Sequence, residues 1–120
     1  VTIVNDTNKV DVYNIGKQIR YSEPYAPSGT NANFVSIDAP NQLTVRTYER
    51  GVEDETLACG TGVVASAISA SLVNGSSHFN VNVRGGKLEV KFKRVSPSLF
   101  EDVYLIGPGS FVFEGMIEIQ

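Results

Sequence analysis

Between Thr56 and Val83 the chain carries no Asp, Glu, Lys or Arg. From Gly60 to Val73 it reads Gly-Thr-Gly-Val-Val-Ala-Ser-Ala-Ile-Ser-Ala-Ser-Leu-Val, small or apolar at every position. A helix with no polar side needs burial all round. The run therefore predicts a wholly buried helix that the rest of the chain must wrap, with Asn74-Gly75 as its stop. The first amides of such a helix have no partner within it, and its dipole adds partial positive charge there. That end suits a carboxylate or a phosphate. Cys59, the only cysteine, sits immediately ahead of it, where a thiol is drawn toward the reactive thiolate.

The remaining sequence predicts what does the wrapping. At 120 residues the chain is one domain with one core, residues 1–120. Leu43-Thr-Val-Arg-Thr-Tyr alternates like a half-buried strand and runs into Glu49-Arg50. With Ala32 to Ile37 before it and Asp38-Ala-Pro-Asn between, it predicts a hairpin that carries Asn31 and Glu49-Arg50 to neighbouring ends. Phe79 to Arg84, Gly85-Gly86 and Lys87 to Arg94 form a second hairpin pattern. Strands are also expected at Val1 to Val4, Asp102 to Ile106 and Phe111 to Ile119, with a turn at Gly107-Pro-Gly. Asp11 to Tyr21 has Val12, Ile15 and Ile19 at helical spacing, with Asp11 as N-cap, though Gly16 weakens the pattern. Pro24 and Pro27 end that helix in a loop from Ser22 to Thr30. The sum is six or seven strands and two helices. The expected fold class is α+β: a mixed, mostly antiparallel sheet curled around one buried central helix.

Composition excludes several function classes. Hydrophobic content of 42% and charged content of 19% are those of a folded soluble protein. The net charge of −3 without a Lys/Arg cluster argues against nucleic acid as a partner. The apolar run from Leu57 to Val73 is too short and too polar to span a bilayer, so no membrane segment is expected. One cysteine makes no internal disulfide, and the expected location is the cytoplasm. The opening on Val1 without Met suggests a piece of a longer chain.

Cys59 ahead of Gly60-Thr61-Gly62 can act as acid or base on a substrate whose carboxylate rests on the helix end. By residue type alone, a lone cysteine is more often a small buried hydrophobe. Metal binding is a poor fit, since His78 is the only other soft ligand and lies beyond the helix. Gly60-x-Gly62 matches neither a P-loop nor a dinucleotide fingerprint. Glu49-Arg50 alone reads as a solvated strand end, and Asn31 alone as turn chemistry.

Taken together, these segments do more. Tyr48-Glu49-Arg50-Gly51, followed by Glu55-Thr56-Leu57-Ala58-Cys59-Gly60-Thr61-Gly62, closely resembles the C-terminal domain of the diaminopimelate epimerases. So do Gly29 to Val35, Arg84 to Val90, Gly107-Pro108 with Phe111 to Gly115, and Ile15 to Arg20. The resemblance implies a pyridoxal-phosphate-independent racemase, with no cofactor and no metal, that inverts the α-carbon of diaminopimelate on the route to lysine. Two cysteines, one from each half of the protein, exchange the α-proton from opposite faces. Cys59 matches the second-domain cysteine, and Gly60 and Thr61 the amides that hold the α-carboxylate. Glu49 matches a ligand of the ammonium, Arg50 the clamp on the distal carboxylate, and Asn31 a distal amide ligand.

Two departures stand out. Gly51-Val52-Glu53-Asp54-Glu55 is one residue longer than the family's Gly-x-Gly-Glu and lacks its second glycine. The chain also has no second cysteine and no first-domain Glu-x-Cys-Gly-Asn-Gly motif. The expected partners are therefore a small-molecule substrate, diaminopimelate, and the N-terminal domain of the same protein. Exposure of the interdomain surface makes self-association as a homodimer a further expectation. The alternatives are half of a proline-racemase-like or phenazine-biosynthesis-like enzyme of the same fold, or a non-catalytic module that captures a small anion.

Overall fold

A computed structural model describes residues 1–57, 59–107 and 110–118, the last stretch by its backbone alone. Among these residues are strands β1 (Thr2–Ile3), β2 (Ala32–Ala39), β3 (Gln42–Glu49), β4 (Asp54–Thr56), β5 (His78–Val83), β6 (Gly86–Ser96), β7 (Leu99–Gly107) and β8 (Ser110–Glu118). The helices are α1 (Val12–Arg20) and α2 (Gly60–Asn74). β4 is the strand that sequence patterning missed, because three residues are too few to show a period. The expected turn at Gly107-Pro-Gly and the last position of the final strand, Ile119, fall partly or wholly outside the described residues.

The fold is α+β, with one mixed, mostly antiparallel sheet in the order β1-β2-β3-β5-β6-β7-β8 and β4 paired to β3. The parallel pairs among the described residues are β1–β2 and β3–β5. β3 is shared along one edge: Thr47–Glu49 pairs with β4, and Gln42–Thr44 with β5. Helix α2 is the connection between those two strands. The sheet's apolar face, including Val35, Val45, Phe79, Val90 and Phe100, closes over Val63, Val64, Ala67 and Ile68 of α2.

Two of the three serines of α2 are satisfied within the helix, while the buried Ser71 hydroxyl has no partner among the described residues. Ser66 Oγ donates to the Gly62 carbonyl at 2.7 Å, and Ser69 Oγ to that of Ala65 at 2.9 Å, the back-bonding open to short hydroxyls in a helix. The stop is as expected: Gly75 takes a left-handed φ of 77° and its amide closes on the Ser71 carbonyl at 2.7 Å. Burial of the whole helix is corrected. Leu72 is 49% and Val73 65% exposed, since the last turn leaves the sheet. Gly60 and Thr61 at the other end are exposed as well.

Helix α1 covers the opposite face of the sheet, in a smaller core of Val12, Ala32, Phe34 and Tyr48. β2 is therefore buried on both sides, which is why its sequence alternates weakly. Asp11 caps α1 as expected, accepting from the Asn14 amide at 3.2 Å. Ile15, expected inward, is exposed instead. The face that meets the sheet passes through Gly16, whose missing Cβ would overlap Cβ of Tyr48. The glycine that weakened the helical pattern is what lets the helix seat. Among the described residues no helix is long and apolar enough to cross a membrane.

Gly16→Ala should therefore destabilise the protein despite better helix propensity. Overlap with a side chain anchored at its own Cβ costs about 1–3 kcal/mol, against a gain of about 1 kcal/mol from removing glycine. The check is the urea midpoint, which falls; an unchanged or higher midpoint would mean that α1 does not rest on Tyr48.

Candidate active site at the start of helix α2

The approach to Cys59 is held from three directions. Arg46 clamps the Glu55 carboxylate with Nε at 2.7 Å and Nη2 at 2.6 Å, and Arg84 reaches it at 3.3 Å. Arg46 also donates to the Thr7 and Val10 carbonyls, tying down the N-terminal segment. One residue past β4, the Leu57 carbonyl accepts from the Gly85 amide at 2.9 Å. The turn between β5 and β6, at Arg84-Gly85, thus supports the chain entering the site.

Cys59 is the N-cap of α2 in extended backbone geometry, and no side chain caps the helix. Its carbonyl accepts from the Val63 amide at 2.9 Å. The thiol is half-buried. Its sulfur lies 3.3 Å from the Thr61 hydroxyl and 3.9 Å from Asn31 Nδ2. With Gly60 and Thr61 exposed, the first turn presents its amides beside the sulfur, an arrangement suited to a carboxylate.

What holds this end in place is a contact that sequence reasoning did not single out. A Cβ at Gly62 would fall on Asn33 Oδ1, so only glycine lets α2 lie against that amide. Asn33 is buried in β2, and its Oδ1 accepts from Thr47 Oγ1 of β3 at 2.7 Å. The available signal was a polar residue between Ala32 and Phe34 in the apolar start of the strand.

The hairpin of β2 and β3 brings Asn31 to Arg50 as expected: Arg50 donates its amide to Asn31 Oδ1 at 2.7 Å. Because that oxygen is occupied, the NH₂ group of Asn31 is the one that faces the sulfur. Arg50 is exposed; its Nη1 donates to the Ser28 carbonyl at 3.2 Å. Neither Arg50 nor Glu49 has an ion-pair partner among the described residues, whereas Arg20, Arg46 and Arg84 are all paired. Asn31, Arg50, Cys59, Gly60 and Thr61 thus form one cluster, with Glu49 adjacent on β3. Among the described residues no group of three or more His, Cys, Asp or Glu could hold a metal ion.

The family model described as diaminopimelate epimerase matches residues 1–112. The chain belongs to the diaminopimelate epimerase family. It is 48% identical over 119 residues to the diaminopimelate epimerase of Flavobacterium psychrophilum, which covers 98% of this chain and 46% of that protein. Identity to the Chlorobaculum tepidum enzyme is 42% over 122 residues, covering 99% and 46%. The chain thus spans a little under half the length of these relatives. Among solved structures, the phenazine biosynthesis protein of Bacillus anthracis, of the PhzF family, shares the fold. Its TM-score is 0.53 at 15% identity, over 86% of this chain and 32% of that one.

The loop after Arg50 is built around Glu53. Glu53 stands at φ 59°, a left-handed conformation that favours glycine. Its carboxylate accepts from the Gly51 amide at 3.0 Å, Arg20 Nε at 2.9 Å, and the hydroxyls of Tyr21 at 2.9 Å and Tyr48 at 3.2 Å. The Gly51 amide is the largest of several effects that hold the Glu53 carboxyl down, from an ordinary 4.5 to about 2, with Tyr21, Arg20 and Tyr48 adding to it. Burial, then the bond to Glu53, pushes Tyr48 up to about 12.

The sign of the pH effect follows. A carboxyl whose folded value is depressed contributes stability that is fully present above 4.5 and is lost as pH falls toward 2. Glu53→Gln should be less stable than wild type at neutral pH, and the gap should close across that window. Thermal midpoints measured from pH 7 down to 2.5 check this; a gap that stays constant with pH would show that the charge is not what holds the loop.

Proposed function

We propose that this chain is the Cys59-bearing, C-terminal half of a cofactor-independent diaminopimelate epimerase. The observation that carries the reading is that one side chain spans the cluster. Asn31 reaches the Cys59 sulfur with its nitrogen at 3.9 Å and holds the Arg50 amide with its oxygen at 2.7 Å. A thiol, an uncapped helix end and a guanidinium without a carboxylate partner among the described residues are therefore linked through one side chain, which suits a substrate with an acidic group at each end.

In this reading the α-carboxylate lies on the amides of Gly60 and Thr61, and Glu49 takes the α-ammonium. Arg50 takes the distal carboxylate in a two-point contact, with Asn31 beside it. The Cys59 thiolate removes the α-proton and becomes the thiol, while an acid on the protein's other half delivers a proton to the opposite face. The reverse reaction exchanges the roles. An α-proton beside a carboxylate is very weakly acidic, so the developing charge needs the helix-end amides and a site closed to water. Closure comes from the other half, the chain's proposed partner.

The first test uses the full-length protein in deuterated water with LL-diaminopimelate. Wild type should invert the α-carbon with deuterium incorporation, and Cys59→Ser should lose inversion by about a thousandfold or more, the order expected when a group essential to proton transfer is removed. If Cys59→Ser inverts like wild type, the thiol is structural and the reading fails. The 120-residue chain alone should show no inversion in the same assay, because only one face of the α-carbon would be served.

A further inference from the structure

Arg50 is exposed, yet its position is over-determined, and the restraints lead back to one residue. The Glu53 amide closes on the Glu49 carbonyl at 2.9 Å, and the Glu53 carboxylate draws in the Gly51 amide at 3.0 Å. Together these lock the backbone on both sides of Arg50. The same carboxylate fixes Arg20 through Nε, and Arg20 lies over the Tyr21 ring with its guanidinium carbon 4.5 Å from the centroid. Arg20 then donates through Nη1 to the Ser28 carbonyl at 3.5 Å, the oxygen that also receives Arg50 Nη1 at 3.2 Å. Glu53 thus controls Arg50 by two routes, one along the backbone and one through Arg20 and Ser28.

We propose that Glu53 is a positioning residue for Arg50: it sets the angle at which that guanidinium presents itself to the distal carboxylate of the substrate. The proposal rests on the reading of Arg50 given above. It assigns a role to a residue of the loop that follows Arg50. Where a glycine would accept the left-handed backbone without strain, this chain keeps a glutamate there and offsets the strain with four hydrogen bonds to its carboxylate. Glu53 itself does not touch the substrate. Its depressed carboxyl agrees with an acceptor that is ionised throughout the working range.

The experiment is a double-mutant cycle in the full-length protein, following α-proton exchange of LL-diaminopimelate in deuterated water. Glu53→Gln should raise KM about tenfold with kcat within about twofold, the pattern of weakened binding shared by ground and transition states. Glu53→Gly, which suits the backbone but removes the acceptor, should do the same and decides the matter if the Gln variant folds poorly. In an Arg50→Ala background, which alone should raise KM further, the Glu53 substitution should change KM less than about twofold, because residues acting through one another are not additive. An unchanged KM in Glu53→Gln and Glu53→Gly overturns the proposal. So does a tenfold rise that repeats in full on Arg50→Ala, since a merely structural role would be additive. If Arg50→Ala leaves KM unchanged, Arg50 does not bind substrate, and both the proposal and the distal half of the functional reading fall.

Discussion

The close approach of α2 to β2 at Gly62 is the contact on which the rest of the site depends. Asn33 occupies the space where any other residue at position 62 would place its Cβ, and Thr47 holds the Asn33 oxygen in turn. One turn away, Cys59 is the N-cap of the helix, and no side chain bonds the helix-end amides. Burial of Val63, Val64, Ala67 and Ile68 against the sheet supplies the driving force, about 1.5–3 kcal/mol for each of the larger side chains. The Asn33 contact decides where along the sheet that force brings the helix to rest.

The two faces of the sheet divide the work. On one, α2 provides a thiol and open backbone amides. On the other, α1 provides Arg20 and Tyr21, and β3 the Tyr48 hydroxyl, all of which converge on Glu53. The β2–β3 hairpin passes between the two cores and ends where both meet, with Asn31 on one strand and Arg50 just beyond the other. A buried strand pair is stiff, so a site hung on its ends inherits that stiffness. The ion pairs of Arg46 and Arg84 with Glu55 do for the incoming chain what Glu53 does for the loop. In each case a carboxylate with several donors holds backbone that has little sheet of its own.

Much of this is legible in the sequence. The uncharged run marked α2, Asn74-Gly75 its end, and alternation the two hairpins; the first hairpin correctly brought Asn31 to Arg50. The errors have physical reasons. Helical spacing points Ile15 inward, but spacing reports a face, not which flank of that face is covered, and the contact runs through Gly16 where no side chain signals it. β4 is too short to carry a period. Leu72 and Val73 are apolar yet exposed, because a pattern that is apolar all round says that burial is wanted, not how far the sheet extends.

The sequence by itself determined most of the elements, through local periodicity and capping, and its resemblance to a family supplied the candidate set of Cys59, Gly60, Thr61, Asn31, Glu49 and Arg50. Only the tertiary structure decided how they are held. The roles of Asn33 beneath Gly62, of Gly16 beneath Tyr48 and of Glu53 among four donors come from residues distant in sequence meeting at van der Waals or hydrogen-bond range. No property of a residue or its neighbours in the chain encodes such a meeting, because it exists only once both cores have closed on the same sheet.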